Sequence, residues 1–372
     1  MISELHLSNF AAFKELKLNF SPRINVIIGE NSCGKTQILK SIYALSKKKY
    51  MANSQNLFGL FKPHKETLTS LHHRSSKGDA MLSVKDANGS SSKIAFSAKS
   101  KSQFSEALAD AKAPSLLIPT KEILSLLPAI DRGNVNKEGL NALFDRSVID
   151  LCELVLKAPS RDIDKLLNSD PRAAALAPML SGALGGKYVV DGSEQYFVAG
   201  SYEEKKPTGG SRSQQAKVYA DYTELKFNKD EGTETSVTMT AEGYRKVGLL
   251  QRLLENGALT QSEVTTILWD EPESNMNPSL IRMLVECLLT LSRNGQQIIV
   301  ATHNYVLLKW FDLLVDSNKD DHITYHALYR NTDKVIKSES NDNYKMLSSN
   351  AIADTYSELY DAEIERSLGG SK

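Results

Sequence analysis

One octapeptide constrains this chain more than anything else in it: Gly29-Glu30-Asn31-Ser32-Cys33-Gly34-Lys35-Thr36 fits GxxxxGK[ST] without a mismatch. It follows the β-branched run Ile24-Asn25-Val26-Ile27-Ile28 and opens QILKSIYALSKK, whose Ile38, Ile42 and Leu45 recur at helical spacing. A buried strand, a glycine loop and a helix in that order form a phosphate cradle. The two glycines let backbone N–H groups curl round phosphate oxygens, the lysine reaches the β and γ phosphates, and the threonine hydroxyl ligates Mg²⁺. The helix N-terminus itself favours an anion. ATP with Mg²⁺ is the expected ligand, held by Gly29, Asn31, Ser32, Cys33, Gly34, Lys35, Thr36 and Gln37.

Two further strand ends carry polar groups of the right kind. Thr265 to Trp269 is an apolar strand that delivers Asp270 and Glu271 to its C-terminal end, where ligands bind in open α/β sheets. Asp270 is expected to hold Mg²⁺ through water, and Glu271 to act as general base on the attacking water. Alone, an acidic strand end is common; beside a phosphate loop it gains meaning. Gln297 to Ala301 is a third β-branched strand, ending in Thr302-His303, and His303 is expected to hydrogen-bond the γ-phosphate.

The rest of the chain supplies a frame. Residues 2 to 20 alternate apolar and polar with a break at Ala11 and Ala12, the pattern of a β-hairpin. Residues 47 to 115 are Ser- and Lys-rich, with strand candidates at Met81 to Val84 and Ile94 to Phe96, a small β lobe. Ser115 to Ile118 is another apolar strand. Helical patterns follow at Glu138 to Lys157 and Asp162 to Leu167, punctuated by Pro159, Pro171 and Pro178. Strand-like stretches lie at Lys187 to Val190, Gln195 to Val198 and Lys217 to Phe227, around a Gly- and Ser-rich loop at Lys205 to Ser213. A helix runs from Ala241 to a stop at Gly257, others cover Ile281 to Leu291 and start at Tyr305, a strand region is expected near Leu313, and Asn350 to Ser367 is amphipathic and acidic. Strands alternating with helices predict an α/β fold with a mostly parallel sheet, and the absence of sustained heptads argues against a long coiled coil.

Charge and cysteine usage narrow the setting. The 45 basic and 45 acidic residues cancel, so no global field draws the chain to nucleic acid. Cys33, Cys152 and Cys287 lack any ligand spacing and are expected to be free thiols in a reducing cytosol. No apolar run approaches the roughly 20 residues that span a bilayer. A soluble, cytoplasmic protein without a membrane partner is expected.

Taken together, GENSCGKT, WDEPESNMNP and ATHN resemble the ABC-type ATPases that are not transporters, and most of all the AAA-type ATPases near RecF, SMC and OLD-family proteins (the AAA_15 and AAA_21 types) of bacterial DNA repair and antiphage defence. Asp270-Glu271-Pro272-Glu273 with Asn277-Pro278 is similar to that group's DEPExxxxP extension, with Asn277 where relatives often carry His. The resemblance covers residues 1 to 45 and 240 to 310. It implies a P-loop ATPase head with an N-terminal β-hairpin lobe, divided as residues 1–118, an insertion over 119–235, and a C-terminal part over 236–372. It implies also that two heads close over nucleotide, completed by a signature segment from the second subunit, here Thr240-Ala241-Glu242-Gly243-Tyr244-Arg245-Lys246. The family usually places Ser before its Gly. Glu242 would repel the γ-phosphate unless it turns away, leaving Thr240, Arg245 or Lys246 to make the contact, and slow or partner-dependent hydrolysis follows. No glutamine follows the Ser115 to Ile118 strand, and Lys121 or Glu122 is expected to take its coupling role.

The expected function is an ATPase switch that forms a homodimer or higher homo-oligomer over ATP and regulates a separately encoded nuclease or toxin. The alternative is a DNA-binding repair or maintenance ATPase, using Lys-rich loops such as Lys99 to Lys101 on phosphate backbone. A transporter subunit fits less well, lacking the Ser-Gly-Gly signature, and an inert site is hard to reconcile with Lys35, Asp270, Glu271 and His303 together.

Overall fold

The structure is a computed structural model that describes residues 1–131, 133, 137–157, 167, 169–191, 194–205, 224–259 and 264–368. Along the chain, β1 (Ile2–Phe10) and β2 (Phe13–Asn19) form the expected hairpin, and β3 (Ile24–Gly29) leads through the glycine loop into α1 (Lys35–Leu45). Then come α2 (Lys48–Ala52), α3 (Ser54–Phe61), β4 (Ala80–Asp86), β5 (Ser91–Phe96), β6 (Glu106–Ala109) and β7 (Ser115–Ile118). The middle holds α4 (Leu127–Asp131), α5 (Lys137–Leu143), α6 (Arg146–Val155), α7 (Pro171–Leu184), β8 (Gly186–Asp191), β9 (Glu194–Lys205) and β10 (Glu224–Ser236). The last third runs α8 (Glu242–Glu255), β11 (Thr266–Asp270), α9 (Pro278–Arg293), β12 (Gln297–Ala301), α10 (Tyr305–Leu314), β13 (Ile323–Arg330), β14 (Ile336–Asn341) and α11 (Ala351–Ser367).

Three sheets organise these elements. The central one has six strands in the order β14-β13-β3-β12-β11-β7, parallel except for β14 at its edge. A five-stranded antiparallel sheet, β2-β1-β4-β5-β6, joins the hairpin to the lobe, and β8, β9 and β10 form a third sheet. Every residue of β3, β11 and β12 is buried, as parallel strands covered on both faces require. Their side chains alternate between two cores. Ile24, Val26, Ile28, Ile267, Trp269, Ile298 and Val300 face α6 to α10, while Ile27, Leu268, Ile299 and Ala301 face α1 and the five-stranded sheet.

Several expectations need correction. Pro178 does not interrupt a helix: it lies inside α7, and Pro171 occupies its first turn, where a missing N–H costs nothing. The helical stretch from Glu138 to Lys157 is two helices, because Asp145 takes an extended conformation and accepts a hydrogen bond from Ser147 N at 2.9 Å to cap α6. Leu313 belongs to α10 rather than to a strand, and β13 and β14 follow it. The helical pattern over residues 162–166, the loop 206–213 and residues 217–223 fall outside the described residues.

Candidate active site

The loop between β3 and α1 can be made only with glycine at its two ends. Gly29 has φ 148° and a Cβ there would lie 2.4 Å from the Leu328 carbonyl oxygen of β13. Gly34, at φ 86°, would drive a Cβ to 2.5 Å from the Phe13 ring. Gly34 is also the N-cap of α1, which leaves the first-turn N–H groups without a side-chain acceptor. Those donors point where an anion is best stabilised. Lys35 is buried and donates from Nζ to the carbonyls of Gly29 (2.7 Å) and Glu30 (3.1 Å). Burial pushes its pKa down, against the pull of Glu271, Cys33 and Asp270.

Around this loop the strand ends converge as expected. Thr36 Oγ1 donates to Asp270 Oδ2 at 2.8 Å, joining α1 to the end of β11. Burial raises the Asp270 pKa, partly offset by hydrogen bonds from Thr36 and Thr120. Glu271 has a left-handed backbone, φ 46°, and its N–H donates to Ala301 O at 2.8 Å, so the β11–β12 pairing continues into the acidic turn. Its Oε1 lies 3.1 Å from His303 Nδ1, and Ser274 Oγ donates to Oε2 at 3.2 Å. Glu273 is a different kind of carboxylate: buried, raised in pKa by that burial, and bonded at 2.6 Å by Thr302 Oγ1. It fastens the turn to β12 rather than facing ligand. Asn277 caps α9, accepting from Ser279 N at 3.0 Å, with Pro278 in the first turn.

Thr36 and Asp270 are hard oxygen donors on one spot, and magnesium is usually held by one or two such protein groups plus phosphate oxygens. Their pairing fits Mg²⁺.

The remaining loop residues have separate duties. Cys33 is buried with its thiol pKa pushed up by desolvation, whereas Asn31 and Ser32 are exposed. Gln37 Oε1 accepts from Ala12 N at 3.2 Å, tying α1 to the hairpin turn.

Thr240, Glu242 and Gly243 sit at the start of α8, against the turn that begins at Glu271. Glu242 Oε1 accepts from Asn275 Nδ2 at 2.8 Å, and a Cβ on Gly243 would lie 3.0 Å from Asn275 O. Thr240 Oγ1 accepts from Tyr188 OH at 2.8 Å and donates to Val237 O at 2.7 Å. Arg245 is paired with Glu122 (Nε to Oε2, 2.9 Å) and donates to the Thr240 carbonyl. Lys246 is buried, its Nζ has no hydrogen-bond partner among the described residues, and burial lowers its pKa. Glu242 has therefore turned toward its own chain's Asn275, and both cations expected as its substitutes are directed inward.

Two groups escaped the sequence. Thr120 Oγ1 donates to Asp270 Oδ2 at 3.2 Å, in the place where Lys121 or Glu122 was expected. Lys121 instead lies 4.9 Å over the Phe144 ring, and Glu122 is spent on Arg245. Arg330, at the end of β13, donates to the Ser32 carbonyl at 2.9 Å. The Pro119-Thr120 step after a buried strand was the available hint for Thr120; Arg330 had none.

Known proteins match this architecture piecewise. The family described as AAA ATPase domain matches residues 1–126, and the family described as "AAA domain, putative AbiEii toxin, Type IV TA system" matches residues 161–309. DNA replication and repair protein RecF of Lysinibacillus sphaericus (strain C3-41) is 51% identical over 45 residues, 12% of this chain and 12% of the relative. RecF of Bacillus thuringiensis (strain Al Hakam) is 47% identical over 45 residues, again 12% of each. The match thus spans about an eighth of these curated relatives. Among solved structures, the SMC head bound to the C-winged helix domain of ScpA aligns over 92% of this chain and 98% of that one, with TM-score 0.52 and 12% identity. The Smc head domain with an extended coiled coil, bound to the C-terminal domain of ScpA derived from Pyrococcus furiosus, aligns over 97% and 99%, with TM-score 0.51 and 11% identity. With the phosphate loop, the acidic strand end and the histidine gathered on one SMC-head-like fold, the two family matches and the RecF similarity support a RecF/SMC-like ABC-type AAA ATPase.

Proposed function

We propose that this protein binds ATP with Mg²⁺ on Gly29 to Thr36 and Asp270, hydrolyses it, and uses that cycle as a switch in which two copies close over nucleotide and control a separately encoded effector. The observation that carries the reading is the meeting of Thr36 with Asp270 and of Glu271 with His303 beside one glycine loop, at 2.8 and 3.1 Å. Mg²⁺, when bound, neutralises charge on the phosphate oxygens. Lys35 exchanges the Gly29 and Glu30 carbonyls for phosphate oxygens. Glu271 takes a proton from the attacking water as the bond from the γ-phosphorus to the bridging oxygen breaks, and His303 orients Glu271 and the phosphate. With Glu242 held on Asn275 and with Arg245 and Lys246 directed inward, the signature segment of a second copy offers no cation to the γ-phosphate, which keeps turnover slow.

The putative toxin and type IV TA system named in one family description support an effector-linked role, which we read as antiphage defence. The DNA replication and repair role in the RecF name supports the second reading, a DNA-maintenance ATPase.

The test uses the full chain, with ATP binding, phosphate release and sedimentation as readouts. Lys35→Ala is expected to abolish ATP binding. Glu271→Gln should keep binding, lower hydrolysis by about 10²- to 10⁴-fold and accumulate an ATP-bound dimer. Tight ATP binding by Lys35→Ala would sink the site assignment, and a monomeric Glu271→Gln protein at saturating ATP would sink the composite dimer.

A further inference from the structure

Two exposed clusters of opposite charge lie on different elements among the described residues. Helix α11 has no buried residue. Among the described residues it is anchored through its first half: Asn350 caps it, Ile352 and Ala353 pack on the core, and Tyr356 stacks on Tyr305 at 4.1 Å. Asp354, Glu358, Asp361 and Glu365 follow at i, i+4, i+7 and i+11, which puts them on one ridge about 16 Å long. Ile352, Tyr356 and Leu359 fall on the opposite side of the helix, so the ridge faces away from its own core. All four acids are exposed and make no ion pair among the described residues. Tyr360, Ile364 and Leu368, exposed by 53%, 55% and 82%, run alongside the far half of the ridge.

The complementary surface is in the β lobe. The loops at 62–79 and 97–103 are joined by Leu68 N to Lys101 O (2.9 Å) and Thr69 N to Ser100 O (3.1 Å). They are fixed to the β1–β2 turn by Ala11 N to Leu71 O (2.7 Å) and His73 N to Asn9 O (2.8 Å), and His72 braces the first loop through the His73 and Gly78 carbonyls. Lys65, Arg74, Lys77, Lys99 and Lys101 project from these loops, and Lys14 lies close enough to His73 to act on its charge. All six are exposed and unpaired among the described residues, against Glu66 and Asp79 nearby. These hydrogen bonds tie both loops to the end of β1 and its turn, from which the cations project.

We infer that α11 docks through its acidic ridge on the basic loops of a second copy of this chain. Both elements flank the nucleotide face. Tyr305, under α11, is two residues from His303, and the turn holding the basic loops bonds Gln37 of α1 through Ala12. A two-fold dimer makes the contact twice. Opposite charges steer the encounter and set the register, and the flanking Tyr360, Ile364 and Leu368 add apolar area at the rim of the contact. The contact goes beyond the nucleotide switch and needs no nucleotide, so Lys35→Ala protein retains it.

The experiment is a charge-reversal exchange in the full chain, read by sedimentation equilibrium at about 50 and 300 mM salt, with circular dichroism to verify folding. One variant carries Asp354→Lys, Glu358→Lys, Asp361→Lys and Glu365→Lys; the other carries Lys65→Glu, Lys77→Glu, Lys99→Glu and Lys101→Glu. Each alone is expected to weaken self-association about tenfold or more at low salt, because like charges then face each other. An equimolar mixture should recover it, since both contacts in the mixed dimer are again opposite in sign. Wild-type association by either variant alone, or no recovery on mixing two folded variants, overturns the inference. So does a lobe variant that loses binding to a duplex DNA probe while self-associating as wild type.

Discussion

At the scale of single residues, the site depends on small groups whose neighbours decide their role. Asp270 Oδ2 accepts from two threonine hydroxyls, Thr36 at 2.8 Å and Thr120 at 3.2 Å, and is buried. A buried carboxylate is expensive unless its lone pairs are used. Thr120→Val removes one donor while keeping shape, so ATPase activity should fall about tenfold and the Mg²⁺ concentration needed for half-maximal rate should rise, with ATP affinity little changed. Thr120→Ser should restore both. Unchanged Mg²⁺ dependence in Thr120→Val would remove this hydroxyl from the site. Glu242 illustrates the same lesson: its type alone suggested repulsion, and its hydrogen bond to Asn275 shows where the carboxylate rests.

At the scale of elements, α8 is held to the segment after β7 by one buried ion pair. Glu122 and Arg245 side chains are 5% and 13% exposed. Removing either partner leaves the other largely shielded from water. Arg245→Met should cost about 3–5 kcal/mol of stability in a urea titration, because Glu122 is left buried and unpaired. Adding Glu122→Leu to it should regain part of that loss, since an apolar pair avoids the desolvation penalty. A single variant as stable as wild type would mean the pair carries no structural weight. The same pair links the segment that carries Thr120, which bonds Asp270, to the start of α8, where Arg245 also bonds the Thr240 carbonyl.

At the scale of the whole molecule, stability toward acid is set partly where β3 and β13 meet. His326 is fully buried, its Nε2 donating to Asn25 Oδ1 at 3.3 Å and its Nδ1 accepting from Ser340 Oγ at 2.7 Å, and burial lowers its pKa to about 4 from an ordinary 6.5. The folded state resists protonation that the unfolded chain accepts. This contribution is present above pH 6.5 and is lost as pH falls from 6.5 to about 4, amounting to about 3 kcal/mol at the bottom of that window. The difference in unfolding free energy between wild type and His326→Gln should shrink by that order over the same range; a pH-independent difference would contradict it. The phosphate loop, the β-branched strands on either side of it and the acidic strand end were legible in the sequence. Each is a short-range pattern, fixed by what a glycine turn or a doubly buried strand tolerates. The folding of the edge beyond Leu313, the choice of Thr120 over Lys121 or Glu122, and the reach of Arg330 to Ser32 were not. Thr120 and Asp270 lie 150 residues apart and Arg330 and Ser32 lie 298 apart, so only the order of strands in the central sheet brings them together. Local spacing determined which residues form the glycine loop and the strand ends beside it; tertiary packing decided which side chains support them.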